Sequence, residues 1–234
     1  IMKLLKPKEI GTGILVEYDA GHISAKTNKH IIKEIAEKSN DNIMMYAVLQ
    51  KAGVENRNGR VYPRDILQRE VDKYQTLIGQ GRALSELNHP ESSLVDLERS
   101  SHRVVETFWE GDILMGKLEI LTSPGFHRSG TISCVGDIAA NLLRHGVTLG
   151  ISSRGVGSIK QKGNQNIVQD DFELICFDLV SSPSTPGAYL FNDVNDREEY
   201  EESLEEEAEK NLASGGDSLD SSLDLMKKLN SYLS

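Results

Sequence analysis

The chain has 234 residues, 38% of them hydrophobic, enough for one sizeable domain with its own core and a tail. No apolar run approaches the ~18 residues that cross a bilayer, and the first residues lack the apolar stretch of a secretory signal, so no membrane partner is expected. Thirteen acidic and four basic side chains fall in residues 193–234, which therefore carry −9 of the formal net charge of −10; the remainder is nearly neutral without a basic stripe, and no nucleic-acid partner is expected.

In chain order, residues 11–18 read as a short strand and 29–39 as a helix with Ile31, Ile32, Ile35 and Ala36 on one face. Residues 42–50 are an apolar run of strand length, followed by a polar loop over 54–60. Pro63 suits a helical first turn, where its missing N–H would be unpaired anyway. Ile66, Leu67, Val71, Tyr74, Leu77 and Ile78 follow at helical spacing until Gly79-Gln-Gly81 ends the run. Strands are predicted over 82–87, 103–109 and 113–121, the last two joined by a Glu110-Gly-Asp112 hairpin turn. Residues 137–145 read as a helix capped by Asp137 and stopped by Gly146. Strand-like 148–153 leads into a Gly-rich stretch, then strands over 166–168 and 172–180, then a turn at Pro183-Ser-Thr-Pro186. Many strands and few helices, without regular β–α alternation, give an α+β, strand-rich single domain over residues 1–192. Residues 193–234 form an acidic tail, with a flexible joint at Ser214-Gly-Gly-Asp217 and Leu219, Leu223, Met226 and Leu229 spaced for a terminal amphipathic helix.

Four features carry candidate chemistry. The stretch Gly150-Ile-Ser-Ser-Arg-Gly-Val-Gly157 sets two serines among glycines. It is not a nucleophile elbow, because Arg154 stands where the second glycine belongs, and it is not a phosphate-binding loop. A hydrolase needs a serine beside a base and N–H groups for an oxyanion; Gly155 and Gly157 allow close backbone approach to a substrate, and the plain alternative is a flexible Gly/Ser loop. Of six histidines, His89 differs, because Pro90 biases it to an extended or turn backbone. A carboxylate would orient it: Asp178, a charge inside the apolar run Leu174-Ile-Cys-Phe-Asp-Leu-Val180, or Glu106 in Val104-Val-Glu-Thr-Phe108. For each carboxylate the alternative is the wet face of a half-exposed strand. Cys134 and Cys176 lack metal-ligand spacing and fit a reducing compartment, no HExxH is present, Asp170-Asp171 reads as a turn, and neither metal nor cofactor is expected.

Taken together and in order, Glu55-Asn-Arg-Asn-Gly-Arg-Val-Tyr-Pro63, Ser85-Glu-Leu-Asn-His-Pro90, Gly150-Ile-Ser-Ser-Arg-Gly155 and Asp178-Leu-Val-Ser-Ser-Pro-Ser184 resemble the prohead (procapsid maturation) proteases of large contractile-tailed bacteriophages, a family related to herpesvirus assemblin. The resemblance spans residues 43–188. It implies an assemblin-like β-barrel with surrounding helices and a serine endopeptidase with Ser152 as nucleophile and His89 as base. The third residue falls at Asp178, where assemblin has a histidine, with Glu106 as competitor; Ser153 is the competing nucleophile. Arg154 and Gly155 are expected at the substrate, Arg154 alternatively in a structural salt bridge. The implied substrates are phage scaffold (core) and major capsid proteins, cut inside the procapsid in the host cytoplasm, with self-association left open. Such proteases often cut after Leu/Ile-x-Glu, so self-cleavage is expected at Leu204-Glu-Glu206 in the tail. A non-enzymatic procapsid or tail component on a related fold is the second reading, and a small-ester hydrolase the third.

Overall fold

The computed structural model describes residues 12–16 and 43–191. The chain divides into Ile1–Leu190 and Phe191–Ser234, and the described residues fall almost wholly in the first unit. The helix expected over 29–39 and the acidic tail lie outside the described residues.

Among the described residues, ten strands make two five-stranded sheets. The first holds β1 (Thr12–Val16), β7 (Gly150–Lys162), β8 (Gln165–Val168) and β3 (Arg60–Val61) in that order, with β9 (Glu173–Val180) also paired to β7. The second runs β10 (Leu190–Phe191), β2 (Ile43–Lys51), β6 (Ile113–Ile120), β5 (Ser100–Glu110), β4 (Leu84–Glu86). The helices among the described residues are α1 (Arg64–Gly79), α2 (Pro124–Ser129) and α3 (Val135–Arg144). The strand-rich single domain with few helices is as expected, but the barrel is a correction, since no closed barrel is found among the described residues. The reason lies at the seams. The edge strands β4 and β10 are three and two residues long, so single bridges, Leu87 to Leu179 and Gly150 to Tyr189, stand where ladders would have to close the ring.

The main core gathers Met45, Leu49, Leu114, Leu118, Ile151, Phe177 and Leu179 from the strands. Val71 and Tyr74 of α1 and Ala139, Ala140 and Leu143 of α3 join them. Burial of this apolar surface is the main stabilising term for such a sheet pair. α1 follows directly after Pro63 and buries Ile66, Leu67, Val71 and Tyr74, the helical stripe that the spacing predicts. α3 begins two residues before Asp137, which is therefore not its N-cap. Instead the Asp137 carboxylate accepts from the backbone N–H of Ser123 (2.7 Å), Ser133 (2.8 Å) and Cys134 (3.1 Å), tying down the segment that carries the unanticipated α2. No helix among the described residues is long and apolar enough to cross a membrane.

The Gly-rich stretch is not a loop. β7 runs through it unbroken for 13 residues. Its glycines answer a packing need, because a Cβ on Gly155 would lie 2.4 Å from Phe172 Cε2, and one on Gly157 2.8 Å from Phe172 Cα. Their absence lets Phe172 lie on the strand and join Tyr62, Ile66, Leu67, Ile159 and Val168 in a second, smaller core.

Candidate active site

The site is built on the antiparallel β7–β9 ladder. Ser152 pairs with Asp178, Ser153 with Phe177 and Arg154 with Cys176. Directly opposed residues share a face and alternate residues share it too, so Ser152, Arg154, Cys176 and Asp178 stand on one side of the sheet. Ser153 and Phe177 stand on the other. There the ring of Phe177 packs edge-on against Tyr74, with centroids 5.5 Å apart, and Ser153 Oγ accepts from Gln50 Nε2 at 3.1 Å.

His89 arrives from the second sheet. Past the end of β4, Leu87 bridges Leu179, and Asn88 N donates to Leu179 O at 2.7 Å. Asn88 has φ of 69°, the left-handed region that asparagine tolerates better than most residues. That reversal, followed by Pro90, turns the imidazole onto Asp178: His89 Nδ1 lies 2.7 Å from Asp178 Oδ2. A neutral ring in this bond donates from Nδ1–H and keeps the proton off Nε2. Both side chains are nearly inaccessible, at 4% and 0% exposure. Ser152 is 1% exposed, and its Oγ is buried without a hydrogen bond to another described residue.

Behind the carboxylate lies a buried ionic cluster. Arg154, wholly buried, sets Nε 2.9 Å from Asp178 Oδ2 and donates from Nη2 to Glu86 Oε1 at 2.8 Å. Its Nη1 donates to Ser92 O at 3.1 Å, which pins the segment following His89. Arg154 thus makes a structural salt bridge. Glu86 N donates to Asp178 Oδ1 at 2.9 Å, and Glu86 also accepts from Asp96 N (3.0 Å) and Arg99 Nε (3.1 Å). Burial opposes charge on Asp178. The hydrogen bond and charge of His89, then Arg154 and Glu86 N, nonetheless hold its carboxyl below the usual range. Burial likewise pushes the Cys176 thiol well up, so the sulfur beside Arg154 stays protonated.

The other candidates separate clearly. Glu106 lies exposed on β5, paired across the ladder with Lys117. Gly155 sits against Phe172. His102 is fully buried on β5. Its Nε2–H donates to Phe177 O at 2.8 Å and its Nδ1 accepts from Ser101 Oγ at 2.9 Å, and burial pushes its pKa down to about 4. The stretch over 55–63 meets the end of the 178–184 stretch beside the ladder. Arg57 N donates to Ser184 O at 3.1 Å, and Thr185 Oγ1 donates to Gln50 Oε1. Pro183 lies so close to β7 that a Cβ on Gly150 would fall 2.5 Å from its ring. Glu86 and Gln50 are not among the sequence candidates; Gln50 ends an apolar, strand-like run, a signal like that at Asp178, whereas Glu86 lies in the half-polar run over 82–87 and has no such signal. No group of three His, Cys, Asp or Glu side chains among the described residues is placed to hold a metal ion.

The profile of the family described as prohead core protein serine protease matches residues 10–199. The prohead core protein protease of Enterobacteria phage T4 is 35% identical over 148 residues, which make up 61% of this chain and 65% of that protein. The chain therefore spans just under two thirds of the length of that curated relative. Among solved structures, the bacteriophage T4 capsid assembly protease is similar with a TM-score of 0.58 and 25% identity, over 75% of this chain and 100% of that one.

Proposed function

The chain belongs to the family of prohead core protein serine proteases, and on that premise we propose that it is a serine endopeptidase with Ser152 as nucleophile, His89 as general base and Asp178 as the residue that orients the base. One observation carries the reading: Asp178 holds His89 Nδ1 at 2.7 Å and is the cross-strand partner of Ser152. With Nδ1–H committed to the carboxylate, Nε2 takes the Ser152 proton as Oγ attacks the scissile carbonyl. It then gives that proton to the leaving amine, and Asp178 stabilises the imidazolium between the two steps. Water deacylates the serine by the same route in reverse. Stabilising the oxyanion calls for backbone N–H donors beside Ser152. Arg154, buried and committed to Asp178 and Glu86, serves by holding the carboxylate rather than by touching substrate.

The substrates in this reading are the scaffold and major capsid proteins of an assembling head, cut inside the procapsid, and the chain's own acidic tail. The test is intact mass of the purified full chain over time, beside Ser152→Ala and His89→Ala, alone and with cognate scaffold protein. Wild type should lose its tail near Glu206 or cut the scaffold, while both variants leave everything whole. Equal cutting by all three would assign the cleavage to a contaminant and sink the assignment, and no cutting under either condition would favour an assembly protein.

A further inference from the structure

Asp178 does not face His89 as a lone charge. Arg154 is buried against the same carboxylate, with Nε 2.9 Å from the Oδ2 atom that His89 Nδ1 contacts. An arginine there cancels most of the field that an imidazolium needs, since a buried Asp–Arg pair is neutral. We infer that Glu86 is a positioning residue of the site: by accepting Arg154 Nη2 at 2.8 Å it restores one net negative charge to the buried cluster on which His89 rests. The inference rests on the reading of His89 as general base.

The geometry supports this in two ways. Glu86 and Arg154 are both wholly inaccessible, so their charges are weakly screened by solvent. Glu86 is also anchored so that it cannot swing away: its backbone N–H donates to Asp178 Oδ1 while its carboxylate accepts from Asp96 N. Arg99 is the second cation on Glu86, at 3.1 Å, but its side chain is 49% exposed and its effect is damped by solvent. The outcome is a chain of alternating charge running from the surface to the base: Arg99, Glu86, Arg154, Asp178, His89. The other titratable groups around the carboxylate are Cys176 on β9, Tyr74 on α1 and His102 on β5. Burial keeps all three uncharged near neutral pH, so they do not alter the count.

Two substitutions of opposite sign test the inference. Glu86→Gln keeps the shape and removes the charge; Arg99→Gln removes the outer cation from a half-exposed position that tolerates change. The titration midpoint of the His89 ring is read by ¹⁵N NMR in the full-length protein, and the acid limb of the pH–rate profile is read on scaffold protein. Glu86→Gln should move both down by about one pH unit and lower kcat roughly tenfold, with KM little changed. Arg99→Gln should move both up by a few tenths of a unit. If the Glu86→Gln protein does not fold, the upward shift in Arg99→Gln decides alone. Midpoints that stay at the wild-type value overturn the inference whether or not the protein cleaves. An inactive wild type whose His89 midpoint still shifts in this pattern would instead overturn the protease reading.

Discussion

Ser152 and Asp178 are Cα partners across the β7–β9 ladder, so their side chains leave the sheet on the same face, where His89 closes on the carboxylate. Ser153, one residue on, leaves by the opposite face. A one-residue difference in register would exchange the two serines. The ladder itself therefore decides which serine shares the face of Asp178.

Asp178→Asn tests the orienting role. The amide can present its NH₂ to Nδ1 and drive the ring to the wrong tautomer, so kcat should fall by roughly 10³–10⁴-fold with KM little changed. Glu106→Gln, at an exposed position on β5, should stay within about twofold of wild type in the same assay. An Asp178→Asn enzyme within tenfold of wild type would remove Asp178 from the machinery.

Ser153→Ala separates the two serines. Its hydroxyl accepts from Gln50 inside the core, and losing it leaves a buried amide donor short of a partner. The expected cost is about 1–2 kcal/mol in urea unfolding, with cleavage retained within severalfold. Loss of cleavage equal to that in Ser152→Ala would contradict the assignment.

Gly155→Ala should be costly for a steric reason. Its Cβ would meet the Phe172 ring at 2.4 Å and Glu173 O at 2.7 Å, so strand or ring must shift. A loss of about 1–3 kcal/mol is expected, which lowers Tm by several degrees. Because the clash involves Phe172, the double variant with Phe172→Leu should lose less than the sum of the two single changes. Strict additivity would place the strain elsewhere.

His102 predicts acid sensitivity. Burial depresses its folded pKa to about 4 from an ordinary 6.5, so the unfolded chain binds the proton first as pH falls. The stabilisation is fully present above pH 6.5 and is lost progressively down to pH 4, by on the order of 3 kcal/mol. Urea midpoints measured between pH 7 and 4 in wild type and in His102→Gln should show a shallower slope in the variant. Parallel slopes would mean that other groups carry the acid dependence.

Much of this protein is local and can be read along the chain. The 3.6-residue stripe from Ile66 to Tyr74 and the apolar runs that became β2, β6 and β9 are short-range patterns. They depend on which side of one element meets the core, and the residues themselves encode that. The stretches around His89, Ser152 and Asp178 carry the family resemblance only as a set; each alone leaves the plain structural alternative open. Other features are set by partners far away in sequence. The glycines at 155 and 157 looked like a loop because nothing local announces that Phe172 will lie across them. Asp137 looked like a helix cap, but its carboxylate collects N–H groups from the preceding segment. Which serine shares the face of Asp178 depends on cross-strand register. The charge that Glu86 returns to the site depends on Arg154, 68 residues away in the chain. Pairing, register and the sharing of one buried charge among several side chains are non-local quantities. Only the assembled sheets could decide them.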